Sequence, residues 1–543
     1  MARAKVLLSI GLFLLFCILL SPVASFAYTS ADVPVGHWSY EAADRLAIAG
    51  LLGLSGIDTR PMTRVQMAFK IKEVIDNIEE ERIPLYLSLE REEVGYLQAV
   101  LYKLINEFRE ELILIGVTSA QIKGDDERSS NGSKFNYAIA PLQLEQRYVS
   151  IRGRKDTLLE NENGLRLEQG YNLRARVNGW VNALNTFTVS ARPAARVSAS
   201  GTKTYLDEGA AKVSLANLEL SIGKSAMWWG PGYRGAMVLS NNAAPLTAAK
   251  LRTINDFRLP GFLQKIGSFG INFFVSQLEK DRTIPSPKIA GLRLAWTPLS
   301  CLSFGANRTS IFGGSGQPKP GLSDYYRIFI ASEELSSSTP RKYDSDQLAS
   351  VDAKLALPFG SWMPLASGME AYTEWAGEDR FYVVRNESPG ILAGLRLVDL
   401  FRNPGTDFRF EYAKNKPNWY NHFKYGTSGT LNAYAYKDEI MGHRMGGDAD
   451  DWFFRLSKDL PALSTSFFTS ATMGGQLEFQ RHNVSQAATH EQLYEPAIDL
   501  TWAHGDKLYL CFKYEFEYYR NYNAVAGATA KNHILSAEMD LKF

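Results

Sequence analysis

Cysteine is scarce in this chain. Its 543 residues include three cysteines, of which Cys17 lies in the apolar segment near the start. The other two, Cys301 and Cys511, are far apart, so they leave one disulfide open but make no disulfide framework and no metal-ligand set. Isolated cysteines of this kind are more often small buried apolar residues. The composition therefore excludes a disulfide-rich scaffold and a cysteine-based metal domain.

Charge of one sign and long apolar runs are lacking as well. The net charge is +1 with 22% charged residues, so no basic field argues for a nucleic-acid partner. After residue 27 the sequence has no uninterrupted apolar run of the roughly 20 residues that a membrane-spanning helix needs. A role in a membrane would therefore require strands.

Familiar catalytic motifs are also absent. The sequence has no GxSxG nucleophile elbow, no phosphate-binding P-loop and no dinucleotide fingerprint. These absences argue against an enzyme, and we predict neither a cofactor nor a bound metal ion.

Residues 1–27 have the pattern of a secretory signal peptide. Arg3 and Lys5 precede an apolar stretch over residues 6–20, and the small residues Ser25 and Ala27 offer a cleavage site. We therefore expect the mature protein to leave the cytoplasm.

Residues 28–84 predict a small helical domain, which we call the head. A first helix begins at Trp38 and ends at Gly50, and Thr63 caps a second one. The stretch resembles a single S-layer homology module, a type of domain that docks cell-wall polymers. The resemblance implies docking to peptidoglycan or another wall polymer through Trp38, Thr63 and Arg64, although Gln66 replaces the acidic residue that ends the motif. The plain alternative is a helical domain that packs under a barrel.

Residues 85–115 predict a longer helix. Leu87, Val94, Leu101 and Phe108 recur every seven residues, which is typical of a coiled-coil seam. The helix is either a spacer, a trimerisation stalk or an element packed against the head or the barrel. The polar residues 116–134 that follow predict a linker.

Residues 135–543 predict a large transmembrane antiparallel β-barrel. Segments of about ten residues alternate apolar and polar side chains between turn residues. In the last segment Leu535 and Met539 alternate with Glu538 and Asp540, and the chain ends on Phe543 like many outer-membrane barrels. About 400 residues at roughly 20 to 25 per strand and loop predict 16 to 18 strands. A soluble β-sandwich, which also alternates, is the alternative.

The most distinctive stretch is residues 227–253, MWWGPGYRGAMVLSNNAAPLTAAKLRT. Its glycines and proline predict a tight turn that holds Trp228 and Trp229 close together. Paired rings of this kind either stack on sugars, plug a strand end or belong to an aromatic girdle. Asn241 and Asn242 predict a loop rich in amide groups, which bind a sugar or close a turn.

This stretch resembles the signature of the Wzi capsule-assembly family, outer-membrane barrels of 18 strands that act as lectins. Four later blocks, near residues 307–318, 374–379, 420–425 and 442–451, resemble the family in the same order. The resemblance implies binding of capsular polysaccharide by arginines and aromatic rings. The predicted polysaccharide-binding residues are Trp228, Trp229, Arg234, Asn241, Asn242, Arg308, Trp375, Tyr420, His422, His443 and Arg444.

Other chemistry at these blocks is weakly supported. Two of Glu374, Glu378 and Asp379 could supply the acid pair of a glycosidase, but carboxylates beside Trp375 are more often solvated or lumenal charges. His422 and His443 lack a short metal-ligand spacing, and the acids of residues 448–451 are a weak calcium signal.

We therefore predict a non-enzymatic, lectin-like protein of the outer membrane with its head in the periplasm. Its expected partners are capsular or other surface polysaccharide, outer-membrane lipid and possible wall polymer. A porin tethered by its head and a secreted glycan-active enzyme are the alternative functions.

Overall fold

The computed structural model describes most of the chain in detail. The described residues are 28–80, 91–118, 137–139, 143–153, 156–321, 324–325, 328, 345–360, 362–378, 389–417, 419–421, 434–460, 469–485, 489–505 and 507–543. The predicted signal peptide and most of the predicted linker lie outside these ranges.

The head extends beyond the predicted residues 28–84, because residues from 97 to 117 lie in the same apolar cluster. Its described part contains four helices: α1 (Trp38–Ile48), α2 (Arg64–Glu79), α3 (Arg91–Glu107) and α4 (Arg109–Leu114). His37 caps α1, since its side chain accepts a hydrogen bond from the Ser39 amide. Thr63 caps α2 in a reciprocal capping box with Gln66, which confirms the predicted start of that helix. Within the described part of the chain, no helix has both the length and the apolar character needed to cross a membrane.

The apolar core of the head joins its helices to the barrel. Leu46 of α1, Ile71 of α2 and Leu104 of α3 are at most 1% exposed and lie in one cluster. Ala356 and Val398 of the barrel wall belong to the same cluster. Of the predicted heptad residues, Phe108 is buried in this cluster and Leu101 packs against it, whereas Val94 is 37% exposed and Leu87 lies outside the described residues. The head itself packs onto the barrel.

The strands, numbered in chain order, account for most of the described residues. They are β1 (Thr59–Arg60), β2 (Tyr137–Ile139), β3 (Gln143–Gly153), β4 (Thr157–Leu158), β5 (Arg166–Leu167), β6 (Gly170–Ala183), β7 (Phe187–Ser198), β8 (Gly201–Leu215), β9 (Leu218–Ser225), β10 (Trp228–Trp229), β11 (Leu246–Thr253), β12 (Phe257–Arg258), β13 (Ser268–Gln277), β14 (Lys288–Leu299), β15 (Leu302–Phe312), β16 (Ser345–Pro358), β17 (Gly368–Glu378), β18 (Gly390–Val398), β19 (Thr406–Lys414), β20 (Ala435–Tyr436), β21 (Glu439–Ile440), β22 (Ala449–Asp459), β23 (Ser470–His482), β24 (Glu491–His504), β25 (Leu508–Arg520) and β26 (Thr529–Lys542).

Eighteen of these strands form a closed antiparallel barrel, which confirms the predicted fold class. Each pairs with its neighbours along the chain, and β26 closes the ring by pairing with β3. The short strands β2 and β12 only extend the sheet at β6 and β13. The turns between β6 and β7 and between β8 and β9 are short and lie beside the head. We call that end of the barrel the head end and the opposite end the far end.

Side chains alternate between the two faces of the barrel wall. On β26 Leu535 is 53% exposed, whereas its neighbour Ser536 is 6% exposed. The same alternation places Phe512 and Tyr514 of β25 outside and Glu515 inside. An apolar outer face with a polar inner face is the pattern of outer-membrane barrels.

Aromatic rings form rows on the outer face near both ends. Toward the far end the side chains of Tyr412, Trp452, Phe479, Tyr494 and Tyr518 follow one another across five strands. Toward the head end Phe269, Trp296 and Phe304 form a shorter row. On β24 Tyr494 and Trp502 are separated by about 20 Å of height, at about 3.3 Å per residue and a tilt of about 40°. Two such girdles are typical of a barrel that spans a bilayer.

Charged side chains that point into the lumen dock the head. Lys354 of β16 donates to Asp44 of α1 at 2.7 Å and to Asp58 at 3.1 Å. Arg45 of α1 pairs with Asp399 at 2.8 Å and with Asp407. Charged side chains are costly against lipid, which explains why these face inward. Their opposite-charge partners in the head offset the cost of burying them there.

Candidate functional site

Residues 226–245, which we call the signature loop, enter the lumen from the far end between β9 and β11. Trp228 and Trp229 are 4% and 3% exposed, and Met237 is completely buried. The ring of Trp229 lies 5.4 Å from that of Phe274 on the barrel wall. The two predicted sugar-stacking tryptophans are thus packed inside the barrel, which favours a structural role for them.

The signature loop meets the head in the middle of the lumen. Strand β10 of the loop pairs antiparallel with β1 of the head, with Thr59 opposite Trp229 and Arg60 opposite Trp228. The Gly230 amide donates to the Asp58 carbonyl at 3.1 Å, which extends the pairing. A segment from each end of the barrel therefore meets the other inside the described part of the barrel.

Carboxylates of the barrel wall hold the backbone of the signature loop. Glu374 accepts hydrogen bonds from the Met237 amide at 2.9 Å and from the Ser350 hydroxyl at 2.7 Å. Glu411 accepts from the amides of Tyr233 and Arg234 at 2.6 and 2.8 Å. Buried backbone N–H groups need acceptors. Glu374 and Glu411 supply them to loop amides that do not pair with a neighbouring strand.

Arg234 and Arg444 form a buried ion-pair network with two glutamates. Arg234 binds Glu160 at 2.7 Å and Glu478 at 2.5 Å, and Arg444 contacts the same two carboxylates. Arg444 also pairs with Asp451 at 2.7 Å. Both arginines are therefore engaged within the protein rather than exposed at a surface.

The electrostatics of the network fix its charge states. Burial alone raises the pKa of Glu160, but Arg444 and Arg234 outweigh burial and hold that pKa at about 2. Burial, aided by the positive charge of Arg444, lowers the pKa of His443 to about 3. At neutral pH, Glu160 is therefore ionised and His443 is neutral.

Among the described residues, Glu160, Glu478 and Glu495 form a group that could offer a metal ion three oxygen ligands, since one oxygen of each lies within 4.8 Å of the others. All four oxygens of Glu160 and Glu478 contact an arginine. A cation at this position would have to displace guanidinium groups, so the arrangement is that of an ion-pair network.

The amide side chains of the loop tie it to its neighbours. Asn241 donates to the Asn161 carbonyl at 2.6 Å, and Asn242 donates to the Ile440 carbonyl at 3.1 Å. The hydroxyl of Tyr420 donates to the Met237 carbonyl and accepts from the His443 amide, both at 2.7 Å. His443 itself packs against Gly235, where a Cβ would lie 2.1 Å from its ring.

A β-hairpin at the far end covers the signature loop. Strands β20 and β21 pair across Lys437 and Asp438, whose φ angles of 52° and 66° are those of a type I′ turn. The hairpin is held by the Asn242 contact and by Arg166, which binds Glu439 at 2.5 Å. We call residues 434–441 the far hairpin.

The base of the far hairpin is fixed by aromatic packing. Tyr434 is 2% exposed, its ring stacks on that of Tyr420 at 5.7 Å, and its hydroxyl bonds that of Thr309 at 2.8 Å. The tip differs, because Lys437 and Asp438 are exposed and the Lys437 ammonium lies 5.5 Å over the half-buried ring of Tyr436. An aromatic ring and a cation are thus presented together at the barrel mouth.

The structure brings seven predicted binding residues together around the signature loop and separates others from it. The seven are Trp228, Trp229, Arg234, Asn241, Asn242, His443 and Arg444, and Tyr420 packs beside them. Trp375 is 40% exposed on the outer face, and Arg308, on the outer parity of β15, bonds Gln347. His422 lies outside the described residues.

The residues predicted to dock the cell wall are engaged within the protein. Thr63 caps α2, and Arg64 pairs with Glu107 at 2.9 Å and with Glu111 at 2.6 Å. Trp38 is partly exposed and lies 4.4 Å under the Lys103 ammonium. Docking to a wall polymer through these side chains stays a prediction.

The carboxylates considered for glycosidase chemistry have structural partners. Both oxygens of Glu374 accept hydrogen bonds, and Glu378 accepts one from the Tyr420 amide. Asp379 lies outside the described residues. The geometry thus gives Glu374 and Glu378 the task of holding loops.

Sequence reasoning missed Glu160 and Glu478 and the role of the far hairpin. Glu478 falls on the inward-facing positions of β23. This alternation predicts that its side chain faces the lumen, but not which residue it pairs with. The tip of the hairpin carries a local signal, since Lys437-Asp438 between short polar-apolar runs is compatible with a tight turn.

Comparisons with known proteins agree with this architecture. The family model described as capsule assembly protein Wzi matches residues 146–534. An uncharacterized 55.8 kDa protein in the cps region of Klebsiella pneumoniae is 28% identical over 169 residues. That match spans 31% of this chain and 32% of the relative, which is about a third of its length.

A solved structure shares the fold over nearly the whole chain. It is Wzi of Escherichia coli, an outer-membrane protein involved in group 1 capsule assembly and a carbohydrate-binding β-barrel. The two chains are 16% identical with a TM-score of 0.65, over 95% of this chain and 100% of the other. Since the family model covers well over half of the sequence, this chain belongs to the Wzi family of capsule assembly proteins.

Proposed function

We propose that the protein is a non-enzymatic lectin of the outer membrane that binds capsular or other surface polysaccharide at the far end of its barrel. The observation that carries this proposal is the far hairpin, whose tip presents Tyr436 and Lys437 together. An aromatic face stacks on a sugar ring, and an ammonium group pairs with uronate or pyruvate carboxylates.

In this proposal the far end faces the cell exterior and the head lies in the periplasm. Short turns at one end and long loops at the other are typical of outer-membrane barrels, whose short turns face the periplasm. The head lies at the short-turn end. The orientation therefore puts the far hairpin where extracellular polysaccharide can reach it.

The buried signature residues have an indirect task in the same proposal. Asn242 and Tyr420 hold the far hairpin and the signature loop in one arrangement, so they position the tip without touching the sugar. Each sugar contact is weak, and many repeats along one polymer give retention through multivalency.

Polysaccharide retention in a deletion strain tests the proposal. The strain is complemented with the native protein, with Tyr436→Ala/Lys437→Gln, or with the control Lys203→Gln/Lys280→Gln, at equal barrel levels. We expect native and control to keep polysaccharide on cells, and the hairpin variant to release it into the medium. Equal retention by all three would contradict binding at the hairpin.

The two alternative functions have their own readouts. A tethered porin predicts steady conductance of the purified protein in a planar bilayer, whereas a lumen filled by the head and the signature loop predicts none. A glycan-active enzyme predicts sugar release from purified polysaccharide that is lost in Glu374→Gln. Either positive result would replace the lectin proposal.

A further inference from the structure

The outer wall of the barrel carries an apolar groove below the far-end aromatic row. Its volume is about 490 Å³, and it runs from β19 across β22, β23 and β24 to β25. Gly475 forms its floor, where an added Cβ would meet nothing within 4 Å, and Phe454, Pro496, Ile498 and Phe516 line its sides. A smooth barrel wall would have a side chain at Gly475, so the groove is a local gap.

Three exposed cations lie at the upper edge of this wall. Lys531 faces Tyr518 in register and takes the next place in the far-end aromatic row, with its ammonium 5.5 Å over that ring. Arg520 is two residues beyond Tyr518 on β25, and Arg152 faces His533 on the next strand. Within the described ranges none of the three cations forms an ion pair with an acidic side chain.

The groove and the cations form one continuous surface. Phe516, which lines the groove, has its ring 4.9 Å from that of His533. His533 in turn stands opposite Arg152 and two residues from Lys531 on β26. Adjacent strands are about 4.8 Å apart and residues on one face about 6.6 Å apart, so the three cations lie within reach of one phosphorylated headgroup.

We propose that this surface binds a phosphorylated lipid of the membrane leaflet at the far end, with its phosphates on Arg152, Arg520 and Lys531 and one acyl chain in the groove. Cations at the edge of an apolar band attract anionic headgroups, and uncompensated charges there require them. The glycine floor provides the depth that a chain needs to lie flat against the wall. The site is separate from the far hairpin and independent of polysaccharide binding.

Titration of the purified full-length protein in detergent with diphosphoryl lipid A tests this site. Three variants are compared: Arg152→Gln/Arg520→Gln/Lys531→Gln, Gly475→Leu, and the matched control Lys203→Gln/Lys265→Gln/Lys280→Gln. We expect native and control to bind alike, with an affinity that falls as salt rises. At roughly fivefold per cation, the first variant should bind about 100-fold more weakly.

Gly475→Leu tests the contribution of the groove to lipid binding independently of the three cations. We expect it to weaken lipid A binding at low and high salt alike, because it removes the acyl-chain space and leaves the cations. Equal binding by the triple variant and the control, or native binding no tighter to lipid A stripped of its phosphates, would overturn the proposal. Folding of each variant is checked by the mobility of the unheated barrel on a gel, and the three single variants, each about fivefold weaker, replace any triple variant that fails.

Discussion

Thr59 of the head stands directly opposite Trp229 of the signature loop in a two-stranded pair inside the barrel. The two residues reach this position from opposite ends of the lumen, since Thr59 belongs to the domain before the barrel and Trp229 to a far-end loop. The pair therefore couples the head to the mouth of the barrel through a few backbone hydrogen bonds.

Trp229→Ala is predicted to loosen this junction. The side chain is 3% exposed and packs on Phe274, so its loss leaves a cavity at a cost of about 3–5 kcal/mol. Hydrogen exchange should rise in residues 226–245 and at Thr59. Trp362→Ala, at a site 75% exposed, is the control and should change stability by about 0.5 kcal/mol or less. Unchanged exchange in Trp229→Ala would refute the coupling.

Arg444→Met is predicted to destabilise the barrel strongly. The change leaves Glu478, which is completely buried, with one arginine instead of two, and removing one member of a buried ion network costs about 3–5 kcal/mol. The double variant Arg444→Met/Glu478→Gln should recover part of that loss. Guanidinium unfolding in phospholipid vesicles measures the loss of stability. The control Lys72→Met, which removes a partly exposed surface ion pair with Asp76, should cost at most about 1 kcal/mol.

Lys354→Met is predicted to weaken the docking of the head. Lys354 contacts Asp44 of α1, Asp58 and Glu370, so its loss leaves three buried carboxylates without their shared cation. We expect faster hydrogen exchange in residues 38–48 and openings in planar-bilayer recordings that the native protein lacks. The exposed-site variant Lys72→Gln should show neither change. If Lys354→Met shows no openings and exchanges residues 38–48 as slowly as the native protein, the apolar contacts alone hold the head.

The barrel strands and the Thr63 cap of α2 were predictable because their signals are local. Period-two alternation in β25 and β26 fixes which side chains face lipid, and the spacing of Thr63 and Gln66 fixes a helix start. The charges at Lys354, Glu370 and Arg409 lie on the inner face of the barrel wall, where they are at most 6% exposed.

The contacts inside the barrel were not predictable, because their partners are distant in sequence. Glu374 holds the Met237 amide across 137 residues, and Glu411 holds the Tyr233 amide across 178. The alternation of apolar and polar residues along one strand does not predict contacts between segments so far apart in the sequence. The signature loop was therefore recognised as distinctive, while the burial of Trp228 and Trp229 depended on the shape of the whole barrel.

The helix cap at His37 predicts a response to acid. Its Nδ1 accepts from the Ser39 amide at 3.3 Å, which requires the neutral ring. Burial lowers the pKa of His37 to about 4 from its ordinary 6.5, with Lys542 and Arg64 adding to the shift and Glu107 opposing it. Between these two values the unfolded chain binds a proton that the folded head does not. The stability of the head should therefore fall as pH drops from about 6.5 to about 4, and level off below that.

His37→Asn separates this group from the other titrating side chains, because asparagine caps a helix well and does not ionise. We expect the variant to match the native protein in the hydrogen exchange of residues 38–48 at pH 7.5, after correction for intrinsic rates. At pH 5 the native α1 should exchange faster than α1 of the variant. Only the native cap must stay unprotonated to accept the Ser39 hydrogen bond, because asparagine does not ionise. If both proteins lose the same protection between pH 7.5 and pH 5, the acid response arises instead from the carboxylates that pair the head with the barrel, such as Asp44 and Asp407.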